Sequence, residues 1–262
     1  MTKPNIWPLV IGLILTAGIA ESSANSPQQT PAGLATSSAD AASNPPSKAA
    51  STASAAPAAP VAALSPPPAP LTGKRILLDP GHGGTDPGAL RKGITEKSIT
   101  LAVALSLKDK LKVLGADVQL TRQIDQPVPL PVRLADSNTT CPDLFLSIHV
   151  NAVSRSTIRG IETYYFGERS APLAQTVLTK LSQDLHETAK WSHNRDLFVL
   201  DGNQVPATLA EIGYLTNPQT RDLLKTKPYQ DKVAAALADS VLAYFAMPGA
   251  VKGCQSAPLS KQ

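Results

Sequence analysis

Four side chains of this sequence are of types that carry chemistry: His82, Glu96, His149 and Glu211. His82 sits in Asp79-Pro80-Gly81-His82-Gly83-Gly84, where three glycines around one histidine allow a tight turn and close approach of other groups. His149 ends an apolar run in Ser147-Ile148-His149-Val150-Asn151. Glu96 opens a long helical stretch, where the helix dipole favours a carboxylate. Glu211 is an acid inside Ala207-Thr208-Leu209-Ala210-Glu211-Ile212-Gly213, and a buried carboxylate without a partner is costly unless a metal, a proton or a cation compensates it. If the strands ending at His82 and His149 are neighbours, the imidazoles converge and Glu96 can supply a third ligand. Two histidines, one carboxylate and one water form a known catalytic zinc arrangement, with Glu211 outside the ligand set and near the water. Plainer readings stand beside this one. Each histidine can simply be hydrogen-bonded at a strand end, Glu96 can be an N-terminal helix charge, and Glu211 can pair with Arg133 or Arg122. Chemistry alone leaves both readings open. His186 and His193, on or beside a polar helix end, read as solvated side chains.

The elements that must position these groups alternate. Strands are predicted at 75–79, 116–121, 143–148, 160–166, 197–200 and 208–212, from short apolar or alternating runs bounded by turn residues. Helices are predicted from Thr95 or Glu96 to Leu114, with Gly115 as a stop, and over 130–138, 172–187 and 229–245. This alternation implies an α/β sheet covered on both sides, with functional residues at the carboxyl ends of the strands.

Composition bounds where that sheet lies. Ala, Pro and Ser fill 33 of the 48 positions from 25 to 72, and no packed core can be made from them. The folded part is therefore expected at 73–247, enough for one substantial core; two large domains and a polytopic membrane protein are excluded. Lys+Arg and Asp+Glu nearly balance there, 20 against 18, without a basic run, so no nucleic-acid partner is implied. Lys3 and the apolar run from Ile6 to Ala20 read as a secretory signal spanning 1–24, too short for a membrane span of about 20 residues. Cleavage after Ala24 or Ala20 fits; an uncleaved anchor is the alternative. Residues 25–72 read as a disordered spacer, extended near Pro66-Pro67-Pro68-Ala69-Pro70, and 248–262 as a tail. In an oxidising compartment Cys141 and Cys254 can pair and pin that tail, or remain separate thiols. Their spacing excludes a cysteine-type zinc site.

The motifs Leu78-Asp79-Pro80-Gly81-His82-Gly83-Gly84, Glu96-Lys97, Thr121-Arg122, Ser147-Ile148-His149-Val150-Asn151-Ala152 and Pro206 to Asn217 occur in one order. Together they resemble the zinc-dependent N-acetylmuramoyl-L-alanine amidases of the third amidase class, over about 75–246. The resemblance implies a single α/β domain with a twisted, mostly parallel six-stranded sheet and helices on both faces. It implies Zn2+ held by His82, Glu96 and His149, with Glu211 as the catalytic acid. The implied reaction is hydrolysis of the amide between N-acetylmuramic acid and L-alanine of peptidoglycan, for wall remodelling or daughter-cell separation. The implied enzyme is an exported autolysin of the periplasm or cell wall, acting as a monomer without a membrane span in the mature chain. Ala210 and Tyr214 depart mildly from the family's pattern.

A zinc peptidase cutting within the stem peptide needs the same ligands and remains a rival, and a non-catalytic wall-binding protein is a third reading. Some members of the resembled family carry an extra helix between the second histidine and the catalytic glutamate that blocks the site until a partner removes it. Here the 61 residues between His149 and Glu211 are largely used by expected elements, so no activator is expected.

Overall fold

The computed structural model describes residues 68–254. The expected signal and most of the expected spacer lie outside the described residues. The described chain forms β1 (Arg75–Pro80), β2 (Leu90–Arg91), β3 (Ile94–Thr95), α1 (Glu96–Val113), β4 (Asp117–Leu120) and α2 (Leu130–Thr140). It continues with β5 (Leu144–Asn151), β6 (Ile161–Tyr165), α3 (Ala171–Leu185), β7 (Ala189–Asn194), β8 (Ala207–Tyr214), α4 (Pro218–Leu224) and α5 (Lys227–Ala246). Six strands make one sheet in the order β4-β1-β5-β8-β6-β7. All neighbours run parallel except β6 and β8, which are antiparallel. The expected single six-stranded, mostly parallel α/β domain is what is found.

Each sheet face carries its own core. Helix α1 buries Ile99, Val103, Leu107 and Leu111, and α5 buries Val233, Leu237, Val241 and Tyr244, both at the three-to-four spacing of one helical stripe. With Leu173, Val177 and Leu181 of α3 they cover Ile76, Leu78, Leu146 and Ile148. Each such side chain contributes about 1.5–3 kcal/mol through burial. Glu96 in the first turn of α1 and Lys110 and Lys112 in its last complement the helix dipole. On the opposite face Leu77, Phe145 and Leu209 pack under Val199, Leu200 and Val205, while α2 leans in through buried Arg133 and Ser137.

Two elements differ from expectation. The run Leu197–Leu200 is a turn, closed by the Leu200 and Asp201 amides on the Leu197 carbonyl, and its apolar side chains form the lid of the smaller core. The sixth strand is instead Ala189–Asn194, a half-exposed edge strand. The short hairpin β2–β3 and helix α4 had no signal strong enough to predict them; α4 is capped by Asn217, whose side chain accepts from the Thr220 amide at 3.0 Å.

The folded unit also exceeds 73–247 at both ends. Leu71 is buried and its amide donates to Leu114 O at 2.8 Å. Beyond α5 the Val251 carbonyl accepts from Tyr244 Oη at 2.6 Å, and Cys254 is disulfide-bonded to Cys141.

Candidate metal centre

Strand β1 ends at Pro80, and the next two residues turn sharply: His82 has φ 61°, in the left-handed region that a non-glycine residue enters only when its surroundings hold it there. Two buried guanidiniums do the holding. Arg122 donates to Pro80 O at 2.9 Å, and to Gly81 O at 2.8 Å and Lys97 O at 2.9 Å. Arg133 donates to Pro80 O at 2.8 Å and His82 O at 2.7 Å, and pairs with buried Asp79. Asp79 also accepts from Thr121 Oγ1 at 2.6 Å and Ser147 Oγ at 2.7 Å. Neither arginine pairs with Glu211, which removes that plainer reading of the glutamate.

This buried network implies a strong effect of breaking it. Arg133→Ala leaves the Asp79 carboxylate without its cation and takes the guanidinium donor from the His82 and Val128 carbonyls, so we expect a loss of about 3–5 kcal/mol, the range for uncoupling a buried ion pair. Chemical denaturation of the variant measures it, and a midpoint within error of the native chain would contradict it.

Held this way, His82 meets the other two expected ligands. His82 Nε2 lies 3.2 Å from Glu96 Oε2, and His149 Nδ1 lies 3.0 Å from Glu96 Oε1. The two imidazoles stand edge to face, with ring centroids 4.9 Å apart. Backbone amides fix the carboxylate between them: Ala89 N donates to Oε2 and Val150 N to Oε1, both at 2.8 Å. The other nitrogen of His82, Nδ1, contacts Asp86 Oδ2 at 2.8 Å, a partner that orients the ring and leaves Nε2 facing inward. Room for this crowding comes from glycine: a Cβ on Gly88 would lie 2.6 Å from both Glu96 Oε2 and His82 Cδ2, and one on Gly81 2.4 Å from His149 Cε1.

Electrostatics follow the geometry. Burial works to lower the His82 proton affinity, but hydrogen bonds and charge from Glu96 and Asp86 outweigh it and push His82 up to about 8. Burial works to raise Glu96, and the two imidazoles outweigh it and hold its carboxyl well below the usual range. The donor atoms of His82, Glu96 and His149 all lie within 4.8 Å of one another, the one such group of metal-binding type among the described residues. A tetrahedral zinc with bonds of about 2.0–2.2 Å separates its donors by about 3.3–3.6 Å, so the set fits such an ion.

Glu211 stands beside them, in register with His149 on the neighbouring strand. Its Oε2 is buried and has no hydrogen-bond partner among the described residues. Burial, then the charges of Glu96 and Glu162, raise its carboxyl well above the usual range. Glu162 faces it across the antiparallel pair and was not expected at the site. Its carboxylate is fully engaged: Tyr214 Oη donates to Oε1, Tyr164 Oη to Oε2 at 3.0 Å, and Asn151 Nδ2 to Oε2 at 3.2 Å. Burial and the Glu162 carboxylate push both phenols above their ordinary range, so they stay protonated donors. The acid in the alternating run Ile161-Glu162-Thr163-Tyr164 was the available signal, but its meaning depends on β6 lying next to β8. Of the two remaining histidines, His186 is exposed at the end of α3, whereas His193 is stacked on Tyr164 with centroids 5.1 Å apart rather than solvated.

Two imidazoles beside the carboxyl ends of β1 and β5 and the carboxylate that opens α1, next to the unsatisfied Oε2 of Glu211, form a group that can hold a metal ion. The chain belongs to the N-acetylmuramoyl-L-alanine amidase family (Amidase_3), whose profile matches residues 76–243. The germination-specific N-acetylmuramoyl-L-alanine amidase of Bacillus subtilis is 32% identical over 197 residues, covering 69% of this chain and 83% of that protein. The N-acetylmuramoyl-L-alanine amidase of Clostridium difficile 630 superposes with a TM-score of 0.65 at 32% identity, over 67% of this chain and 98% of that one. The CwlD amidase of Clostridioides difficile, solved in complex with the GerS lipoprotein, does so at 0.64 and 31%, over 66% and 98%. The expected family, enzyme class and fold therefore hold.

Proposed function

We propose that this chain is an exported, zinc-dependent amidase that hydrolyses the bond between the lactyl group of N-acetylmuramic acid and L-alanine in peptidoglycan. His82, Glu96 and His149 hold the metal and Glu211 is the general base and acid. The observation that carries this reading is the convergence of those three donors beside a buried Glu211 oxygen without a hydrogen-bond partner among the described residues. Bound there, zinc supplies a Lewis acid for the amide carbonyl and lowers the pKa of the attacking water. Glu211 takes the proton of that water and passes it to the departing alanine nitrogen, a transfer suited to a carboxyl whose proton affinity is raised. The arginine-pinned loop and the amides on Glu96 keep the donors fixed during turnover, so no reorganisation is needed as charge develops.

The segment 1–24 directs export, the Ala/Pro/Ser-rich stretch up to residue 67 spaces the domain from its point of exit, and the catalytic domain follows. No helix among the described residues is long and apolar enough to cross a membrane. Between β5 and β8 the only helix is α3, whose apolar stripe is buried in the core. The glutamates of that interval are otherwise engaged or exposed: Glu162 is bound by two tyrosines, Glu187 by Arg159 at 2.5 Å, and Glu168 faces solvent. These features favour the reading that the domain works without an activator, and we take it to act as a monomer.

The test is digestion of isolated sacculi by the purified chain with zinc, followed by mass spectrometry. We expect free stem peptides beginning with alanine. Fragments cut inside the stem would favour the peptidase reading, and release only after adding a cell-envelope extract would show that an activator is required.

A further inference from the structure

The sheet register carries the site beyond the metal centre. His149 pairs with Glu211, Glu211 with Glu162, and Glu162 with Trp191, so one cross-strand row runs over four strands to the edge strand β7. Side chains directly opposite one another share a face, which places Trp191, 59% exposed, on the metal side of the sheet. Between β6 and β7 the register slips: Ile161 faces Ala189, but Glu162 faces Trp191. Lys190 is the extra residue of this bulge, and bulges beside active sites re-aim a side chain. Here the bulge brings the Lys190 ammonium over two rings, 5.2 Å from the centroid of Trp191 and 5.9 Å from that of Tyr214.

That ammonium is half-buried, and none of the lysine or arginine ion pairs among the described residues includes it. The nearest acid in the row, Glu162, already accepts from Tyr214, Tyr164 and Asn151. A cation held between aromatic faces, partly out of water and lacking a counter-ion, is a site for an anionic group of a ligand. Its distance from the chemistry says which group. Strand β7 lies two strand spacings from β8, roughly 10 Å at about 4.8 Å each. An extended peptide covers about 3.4 Å per residue, so a stem peptide leaving the cut amide beside Glu211 brings its second or third residue to Lys190.

Resting on the amidase reading above, we propose that Lys190 binds a carboxylate on the second or third residue of the stem peptide and so sets the peptide specificity of the enzyme. Trp191 and Tyr214 limit the solvent around the pair, and the bulge fixes its position.

The experiment uses four muramyl-peptide substrates, with the second-residue carboxyl free or amidated and the third-residue carboxyl free or amidated. For one of the two pairs we expect kcat/KM about tenfold higher on the free acid, the size of one charge-assisted contact. Lys190→Ala should bring that ratio towards one by raising KM on the free acid, and Lys190→Arg should retain most of it. The pair that shows the preference identifies which carboxylate is read. Equal kcat/KM on all four substrates with native enzyme, or equal losses on acid and amide in Lys190→Ala, would overturn the Lys190 role while leaving the amidase reading intact. Cleavage of none of the four would overturn both.

Discussion

Glu211→Gln is expected to keep its full complement of zinc and to lose at least about 100-fold in kcat, the lower end of a general acid–base contribution and about 2.7 kcal/mol of barrier. The amide is isosteric with the carboxyl, so the strand and its neighbours keep their places. What disappears is the ability to accept a proton and hand it on. The same exchange removes a carboxylate that is buried and repelled by Glu96 and Glu162. The folded state binds that proton more tightly than the unfolded chain does, so ionising Glu211 at neutral pH costs stability. Glutamine abolishes this cost. The variant, compared with native protein after both are stripped of metal, should therefore melt at the same temperature or higher while being far less active, which separates a catalytic from a structural role. Elemental analysis, calorimetry and sacculus digestion read the three outcomes. A metal-free variant would make Glu211 a ligand, and activity within a few-fold of native would remove it from the reaction.

What the sequence reveals about this site depends on whether a residue violates its local pattern. Glu211 and His149 are legible because an ionisable group inside an apolar strand has no local explanation, and such conflicts concentrate at functional positions. Gly81, Gly83 and Gly84 around His82 are legible for a similar reason, since they mark backbone that other groups must approach. Lys190 and Trp191 conflict with nothing. Ala189-Lys190-Trp191-Ser192-His193-Asn194 is polar, lies at the sheet edge and is interrupted by a bulge, so the period of two is lost and the strand looks like a connection. Leu197-Phe198-Val199-Leu200 misleads in the opposite sense: its apolar run is buried, but as a turn over the smaller core. The role of Glu162 is invisible because alternation puts it on a face without saying which strand lies beside it. Only the antiparallel pairing of β6 with β8 brings it to Glu211. Arg122 and Arg133 show the limit of pairing charges by sign. Both were candidates for Glu211, yet tertiary structure directs them to backbone carbonyls of the His82 turn, where a planar, multiply donating group is needed.

His149→Ala and His82→Ala are each expected to abolish both metal binding and turnover, and the two losses should occur together. In the native arrangement each imidazole faces one oxygen of Glu96, so removing either ring leaves one nitrogen and one carboxylate as protein donors. Zinc sites that keep an open position use three protein ligands, and two are insufficient to retain the ion through dialysis. The loss also has a readout independent of catalysis. An ion that binds only the folded chain stabilises it by RT ln(1 + [L]/Kd), about 4 kcal/mol when zinc is at 1,000 times its Kd. Adding zinc to metal-stripped native protein should therefore raise its melting temperature by several degrees, and the same addition to either alanine variant should not. His82 carries a second consequence that His149 does not. Its ring is tied to Asp86 and its carbonyl to Arg133, so Asp86→Ala should weaken zinc binding by about 10–100-fold, the usual effect of removing a group that orients a ligand. Full turnover on sacculi by native protein shown by elemental analysis to be free of metal would overturn the metal assignment. Zinc-dependent melting that survives in His149→Ala would instead move the ion to another set of donors.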